Sequence, residues 1–164
     1  MNDNVDATLL VRTLSQRGLT VGTAESCTGG LVAKLITDVA GSSSVLHGGF
    51  VTYTNEIKMR LLGVDPQIIA LESEVSHGCA KAMAVGARER LRVTLAVSLT
   101  GFAGPTGGTD ADPVGTVYIG VASPRGVISE RFVAPDASTR EGVRNAAAMR
   151  ALELLYREAL LLCE

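Results

Sequence analysis

The stretch TAESCTGG, Thr23 to Gly30, sets a serine beside a cysteine between two apolar runs, with one carboxylate, Glu25, and two glycines. These residue types suit a nucleophile or an anion cradle. A glycine-bearing turn from strand to helix lets main-chain amides approach an anion, and the field of a helix N-terminus favours negative charge there. A phosphate, a carboxylate or a developing oxyanion would fit such a turn, with Cys27, Thr28, Gly29 and Gly30 as its contacts. The stretch is not a P-loop, because the GxxxxGK[ST] spacing is missing, and it is not GxGxxG. Nor is it GxSxG, since Ala24 and Thr28 flank Ser26 at two residues on either side. An ordinary helix start capped by Ser26 or Thr28 explains the same residues.

A serine nucleophile needs a proton acceptor. Of the two histidines, His47 precedes a strand and His77 opens a helix, so neither is evidently placed for a Ser-His-Asp triad. Lysine is the other known partner. Lys34 falls two turns into the helix after Ser26 and should point away from it, while Lys81 lies in the long middle helix. Lys58, in YTNEIK, follows a strand end and a turn that Asn55 could cap. A solvated surface lysine is the plain alternative. As a base its amine must fall about three units from about 10.4, through burial or a neighbouring cation such as Arg60. Cys27 is the rival nucleophile, because a helix N-terminus lowers a thiol pKa, although a buried structural cysteine is the commoner fate.

The second glycine-rich segment, TGFAGPTGGTD, follows the strongest strand of the chain. Gly101, Gly104, Gly107 and Gly108 allow close approach, and Thr100 and Thr106 supply hydroxyls, so the segment reads as a binding wall or a long surface turn. Arg140 and Arg144, four apart on the last helix, could meet an anionic group or simply face solvent. No HxxH, HExxH or CxxC occurs, so neither a metal site nor a cofactor is expected.

The elements that must position these groups alternate. A helix ends near Gly18, a strand covers Leu19 to Ala24, and a second helix runs from Gly30 towards Gly41. A strand near Gly49 to Tyr53 precedes the short helix NEIKMRLLG; Asp65-Pro66 reads as a turn. Ser76 caps a helix reaching about Leu91, and RVTLAVSLTGF is a nearly continuous apolar strand, hence central. TVYIGVA and GVISERFVA form a hairpin, and Asp136 to Thr139 cap the last helix. This is an α/β layered fold with a mixed sheet, and both glycine-rich loops and Tyr53 fall at carboxyl ends of strands, where sites gather.

At 164 residues the chain fits one domain, residues 1–164, with no repeat or linker. Charged residues at 20% and a net charge of −2 give no basic face, so nucleic acid is not an expected partner. No apolar run approaches the ~20 residues that cross a bilayer, and the N-terminus does not read as a secretory signal. Three widely spaced cysteines, Cys27, Cys79 and Cys163, suggest reduced thiols and a cytoplasmic protein.

Taken together, TAESCTGGLVAKLIT, GGFVTYTNEIKMRLLGV, SLTGFAGPTGG and PVGTVYIG resemble the CinA C-terminal domain family over nearly the whole chain. The resemblance implies a three-layer α/β/α sandwich around a mixed, mostly parallel sheet. It also implies hydrolysis of the carboxamide of nicotinamide mononucleotide to nicotinate mononucleotide and ammonia, without metal. The family's serine nucleophile falls on Ser26, its lysine base on Lys58 and its helper tyrosine on Tyr53. A self-associating homo-oligomer is implied as well. Phe102 stands where some members carry tyrosine, and Asp112 where many carry lysine. Two alternatives stand beside this reading: a Cys27-dependent amidase, and a non-catalytic nucleotide-binding or regulatory module linked to competence or DNA damage.

Overall fold

The computed structural model describes residues 5–162, so Cys163 lies outside the described residues. Along the chain run α1 (Ala7–Gln16), β1 (Val21–Glu25), α2 (Leu31–Thr37), β2 (Leu46–Val51), α3 (Asn55–Leu62) and α4 (Pro66–Glu72). Then follow α5 (His77–Leu91), β3 (Leu95–Gly101), β4 (Thr116–Ser123), β5 (Gly126–Val133) and α6 (Arg140–Leu161). The five strands form one sheet in the order β2-β1-β3-β4-β5. β1 is parallel to β2 and β3, whereas β4 is antiparallel to β3 and β5. Four strands therefore point one way and β4 alone runs against them, a mixed and mostly parallel sheet. Helices α1, α2 and α6 pack on one face and α3, α4 and α5 on the other, which completes the three-layer sandwich.

The apolar run of β3 has its physical reason here. As the middle strand it is covered on both faces, and every residue before Gly101 is buried. Edge strand β2 instead alternates half-buried and exposed residues and begins at Leu46, earlier than its composition suggested. Asp65-Pro66 does not merely turn the chain. The Asp65 carboxylate accepts from Gln67 N at 2.8 Å and Pro66 opens α4, a short helix with no fully buried residue and so no apolar stripe to betray it. Thr54, not Asn55, caps α3: its backbone is extended and its hydroxyl accepts from Ile57 N at 3.3 Å. Ser76 caps α5 as expected, accepting from Cys79 N at 3.1 Å. No described helix is long and apolar enough to cross a membrane.

Because β1, β2 and β3 run parallel, their carboxyl ends meet on one edge of the sheet. The ladder continues just beyond them: Ser26 N donates to Leu99 O at 3.0 Å, and Thr52 N donates to Glu25 O at 2.8 Å. Three chain segments are thus pinned side by side. On the α5 face, α3 lies so close to α5 that a methyl group on Gly86 would overlap the Leu62 carbonyl. Gly86→Ala should push α3 outward and lower stability by about 2 kcal/mol in urea denaturation. Unchanged stability would contradict this close approach.

Candidate active site

The turn after β1 is held from an unexpected direction. Glu25, fully buried, turns its carboxylate onto the start of α2 and accepts from Gly30 N (3.1 Å), Val32 N (3.0 Å) and Ala33 N (2.9 Å). Neither Ser26 nor Thr28 caps the helix. The N-cap position is Gly30, whose φ of 103° suits glycine and offers no side-chain oxygen. With Glu25 meeting the orphan amides, the Ser26 hydroxyl is released from capping. The Glu25 carboxylate also takes up the positive end of the helix, so this terminus is not an open phosphate cradle.

Of the three lysines, Lys58 is the one that reaches Ser26. On α3 it shares the inward face with Leu62, four residues on, and is only 1% exposed. Its Nζ lies 3.1 Å from Ser26 Oγ and 3.0 Å from Thr52 O. Among the described residues no carboxylate forms an ion pair with it. Burial pushes the amine below the ordinary lysine range, against a smaller opposing pull from Cys79, Glu74 and Cys27. A neutral amine can donate to the Thr52 carbonyl and take the Ser26 hydroxyl proton on its lone pair. The other lysines conform to expectation, with Lys34 paired to Asp38 at 2.6 Å on an exposed surface.

Cys27 does not show the lowered thiol expected at a helix start. Burial pushes it up to about 11, and Cys79 likewise, so both are thiols at neutral pH. His77 faces Ser129, 2.6 Å between Nδ1 and Oγ, and neither histidine lines the cleft. Among the described residues, no three His, Cys, Asp or Glu side chains gather closely enough to hold a metal ion.

Ser26 and Lys58 open into a cleft of about 210 Å³. Of the residues singled out in the sequence, Cys27, Tyr53, Thr100, Gly101, Gly104 and Thr106 also line it. Thr28, Gly29, Gly30, Gly107, Gly108 and Arg144 do not. Arg144 instead braces the Ser26 turn from behind, its Nη2 donating to Thr28 O at 3.0 Å. The Thr100 hydroxyl is occupied, donating to Glu74 O at 2.7 Å. Arg140, named with Arg144 as a possible anion contact, does line the cleft, and Glu74, from the stretch between the Asp65-Pro66 turn and Ser76, lines it with no sequence signal. The Arg140 guanidinium ties the two loops together, with Nη2 on the half-exposed Tyr53 hydroxyl at 2.8 Å and Nη1 on Gly104 O at 2.7 Å. It has no carboxylate partner among the described residues.

Main-chain donors for an oxyanion are narrowed by the same geometry. Gly29 N is committed to Ser26 O at 3.1 Å and Gly30 N to Glu25. The N–H groups of Cys27 and Thr28 donate to no oxygen among the described residues, which corrects the expectation that the two glycines would serve.

The fold and this edge define a three-layer α/β/α domain with a buried serine–lysine pair at the carboxyl end of its parallel strands. The chain belongs to the CinA C-terminal domain family, whose model matches residues 4–159. It is 49% identical over 160 residues to a CinA-like protein of Geobacter sulfurreducens, covering 96% of this chain and 38% of that protein. It is also 45% identical over 149 residues to the nicotinamide-nucleotide amidohydrolase PncC of Escherichia coli, covering 90% of this chain and 88% of that one. The chain therefore spans well under half of the CinA-like relative but nearly all of the amidohydrolase. Among solved structures, a CinA superfamily protein of Klebsiella pneumoniae superposes with a TM-score of 0.89 at 30% identity, covering 94% of this chain and 95% of that one. A competence/damage-inducible protein of Agrobacterium tumefaciens does so with a TM-score of 0.84 at 41% identity, covering 92% and 93%.

Glu25→Ala should strand three amides and lower stability by about 3 kcal/mol in chemical denaturation, with Glu25→Gln losing about half as much. A Glu25→Ala chain as stable as its parent would contradict the capping role.

Proposed function

We propose that the chain is an amidohydrolase acting on a nicotinamide nucleotide, with nicotinamide mononucleotide as substrate. The observation that carries this is the contact between Ser26 Oγ and a buried, carboxylate-free Lys58 Nζ. The 45% identity to an amidohydrolase of nearly equal length adds the substrate class. Ser26 Oγ attacks the carboxamide carbon while its proton passes to Lys58 Nζ. The tetrahedral oxyanion is met by the N–H group of Cys27, which lines the cleft, a contribution of about 3 kcal/mol in comparable sites. Lys58 then returns the proton to the departing nitrogen, the C–N bond breaks, and ammonia leaves an ester on Ser26. Water, deprotonated by Lys58, attacks that ester. Collapse regenerates the serine and releases the carboxylate, nicotinate mononucleotide.

Arg140, without a carboxylate partner in the cleft, suits the anionic phosphate end, and Tyr53 beside it orients that guanidinium. Cys27 contributes its amide and not its thiol, in line with the raised thiol pKa. No step requires a metal ion or a cofactor.

Ammonia release from nicotinamide mononucleotide, followed with and without chelator, tests the reading. Ser26→Ala and Lys58→Met should each lower the rate by about 10³-fold or more. Lys58→Met replaces a buried amine by an apolar side chain of similar volume, so the fold should be at least as stable. No release by the folded parent chain would sink the reading for this substrate, and a folded Ser26→Ala chain that kept its rate would sink Ser26 as nucleophile.

A further inference from the structure

One charged group in the cleft has no task in the chemistry above. Among the described residues lining it, Glu74 is the only carboxylate. Among the described residues it joins no ion pair, and its one side-chain hydrogen bond is accepted from the neighbouring Ser73 hydroxyl, 3.3 Å from Oε2. Its backbone, by contrast, is held firmly. Ser73 sits at φ 83°, ψ 160°, a conformation glycine adopts freely and serine does not. Four hydrogen bonds maintain it. Ser73 N donates to Ile69 O at 3.0 Å, Ser76 Oγ to Ser73 O at 2.8 Å and Val75 N to Ser73 Oγ at 3.2 Å. Thr100 Oγ1, from the end of β3, fixes Glu74 O at 2.7 Å. The connection from α4 to α5 is thereby turned so that Glu74 and Val75 form one wall of the cleft.

A free carboxylate is an odd neighbour for Lys58. Its charge favours the ammonium form and so works against the burial that frees the lysine lone pair. It would be compensated by a positive charge arriving with the substrate. A ring nitrogen carrying a ribosyl or alkyl substituent provides one: an N-substituted pyridinium is a fixed cation, whereas free nicotinamide and the dihydropyridine form are neutral. We propose that Glu74 is a specificity-determining residue that reads this positive ring charge, so that the cleft selects pyridinium carboxamides over neutral ones. Bound in this way, the ring also offsets the pull of Glu74 on Lys58 when the base is needed. The choice of ligand rests on the amidase reading above, but the charge preference is measured by binding and does not need turnover.

Equilibrium binding of nicotinamide mononucleotide and of its dihydro form, the latter followed by its fluorescence, decides the matter on Ser26→Ala chains with and without Glu74→Gln. With Glu74 present, the cationic form should bind about five- to tenfold tighter than the neutral one. Glu74→Gln should erase that gap by weakening the cationic ligand alone, and Glu74→Asp should keep part of it. In the chain with Ser26 intact, Glu74→Gln should raise KM for the mononucleotide by a similar factor and move kcat less. Equal weakening of both ligands, no weakening of either, or a fall confined to kcat would overturn the proposal. A charge preference that Glu74→Gln removes, in a chain that releases no ammonia, would defeat the amidase reading and leave this one standing.

Discussion

The site depends on one buried amine. Lys58 Nζ is set between Ser26 Oγ and Thr52 O in a place almost without solvent, and the surrounding structure either brings it there or leaves it unpaired. A carboxylate within salt-bridge reach would have fixed the ammonium form and removed the base. The site offers one hydroxyl and one carbonyl instead. Desolvation is then the largest influence, and it favours the neutral amine. This has a consequence for stability. Between the lowered value and the ordinary value of about 10.4, the unfolded chain holds a proton that the folded chain does not, so Lys58 makes the fold more stable as pH rises through that window and less stable as it falls.

The second constraint is a division of labour among groups that the sequence places side by side. A helix start usually draws on a nearby hydroxyl for capping, which would tie up Ser26. The Glu25 carboxylate takes the amides of Gly30, Val32 and Ala33 instead. It is positioned to do so because β1 ends on it and Thr52 N holds its carbonyl in the continued ladder. The parallel arrangement of β1, β2 and β3 brings the three carrier segments to one edge, Arg140 bridges two of the loops above them, and Arg144 supports the Ser26 turn from behind. Strand order, cap and base form one mechanical unit.

Much of this was legible in the residues themselves. Alternating apolar periods and glycine or proline breaks gave the order of strands and helices, and the nearly continuous apolar run of RVTLAVSLTGF marked the middle strand, Leu95–Gly101. Less visible was anything that depends on which face a short element buries. Lys58 reads as a surface residue until its partner four positions on, Leu62, is recognised as part of the same inward face. The helix α4 escaped because a seven-residue helix with no fully buried residue leaves no stripe. Glu25 stands out in the sequence only as the one carboxylate of its stretch, and its role as a cap from five residues away follows only from the three-dimensional return of the chain. Glu74 entered the cleft through a serine in a glycine-like backbone conformation, which no local composition announces. Thr100 had the right chemistry for a ligand and spends it on the backbone of Glu74.

The central claim is that Lys58 is a neutral amine when Ser26 needs a base. Its most direct test is a pH titration of the lysine side-chain amines by NMR, with the Lys58 signal assigned through Lys58→Met. Lys58 should lose its proton well below the ordinary lysine range, and Ser26→Ala should alter that titration because it removes the adjoining hydroxyl. A Lys58 signal that titrates in the ordinary lysine range, near 10.4, would contradict it.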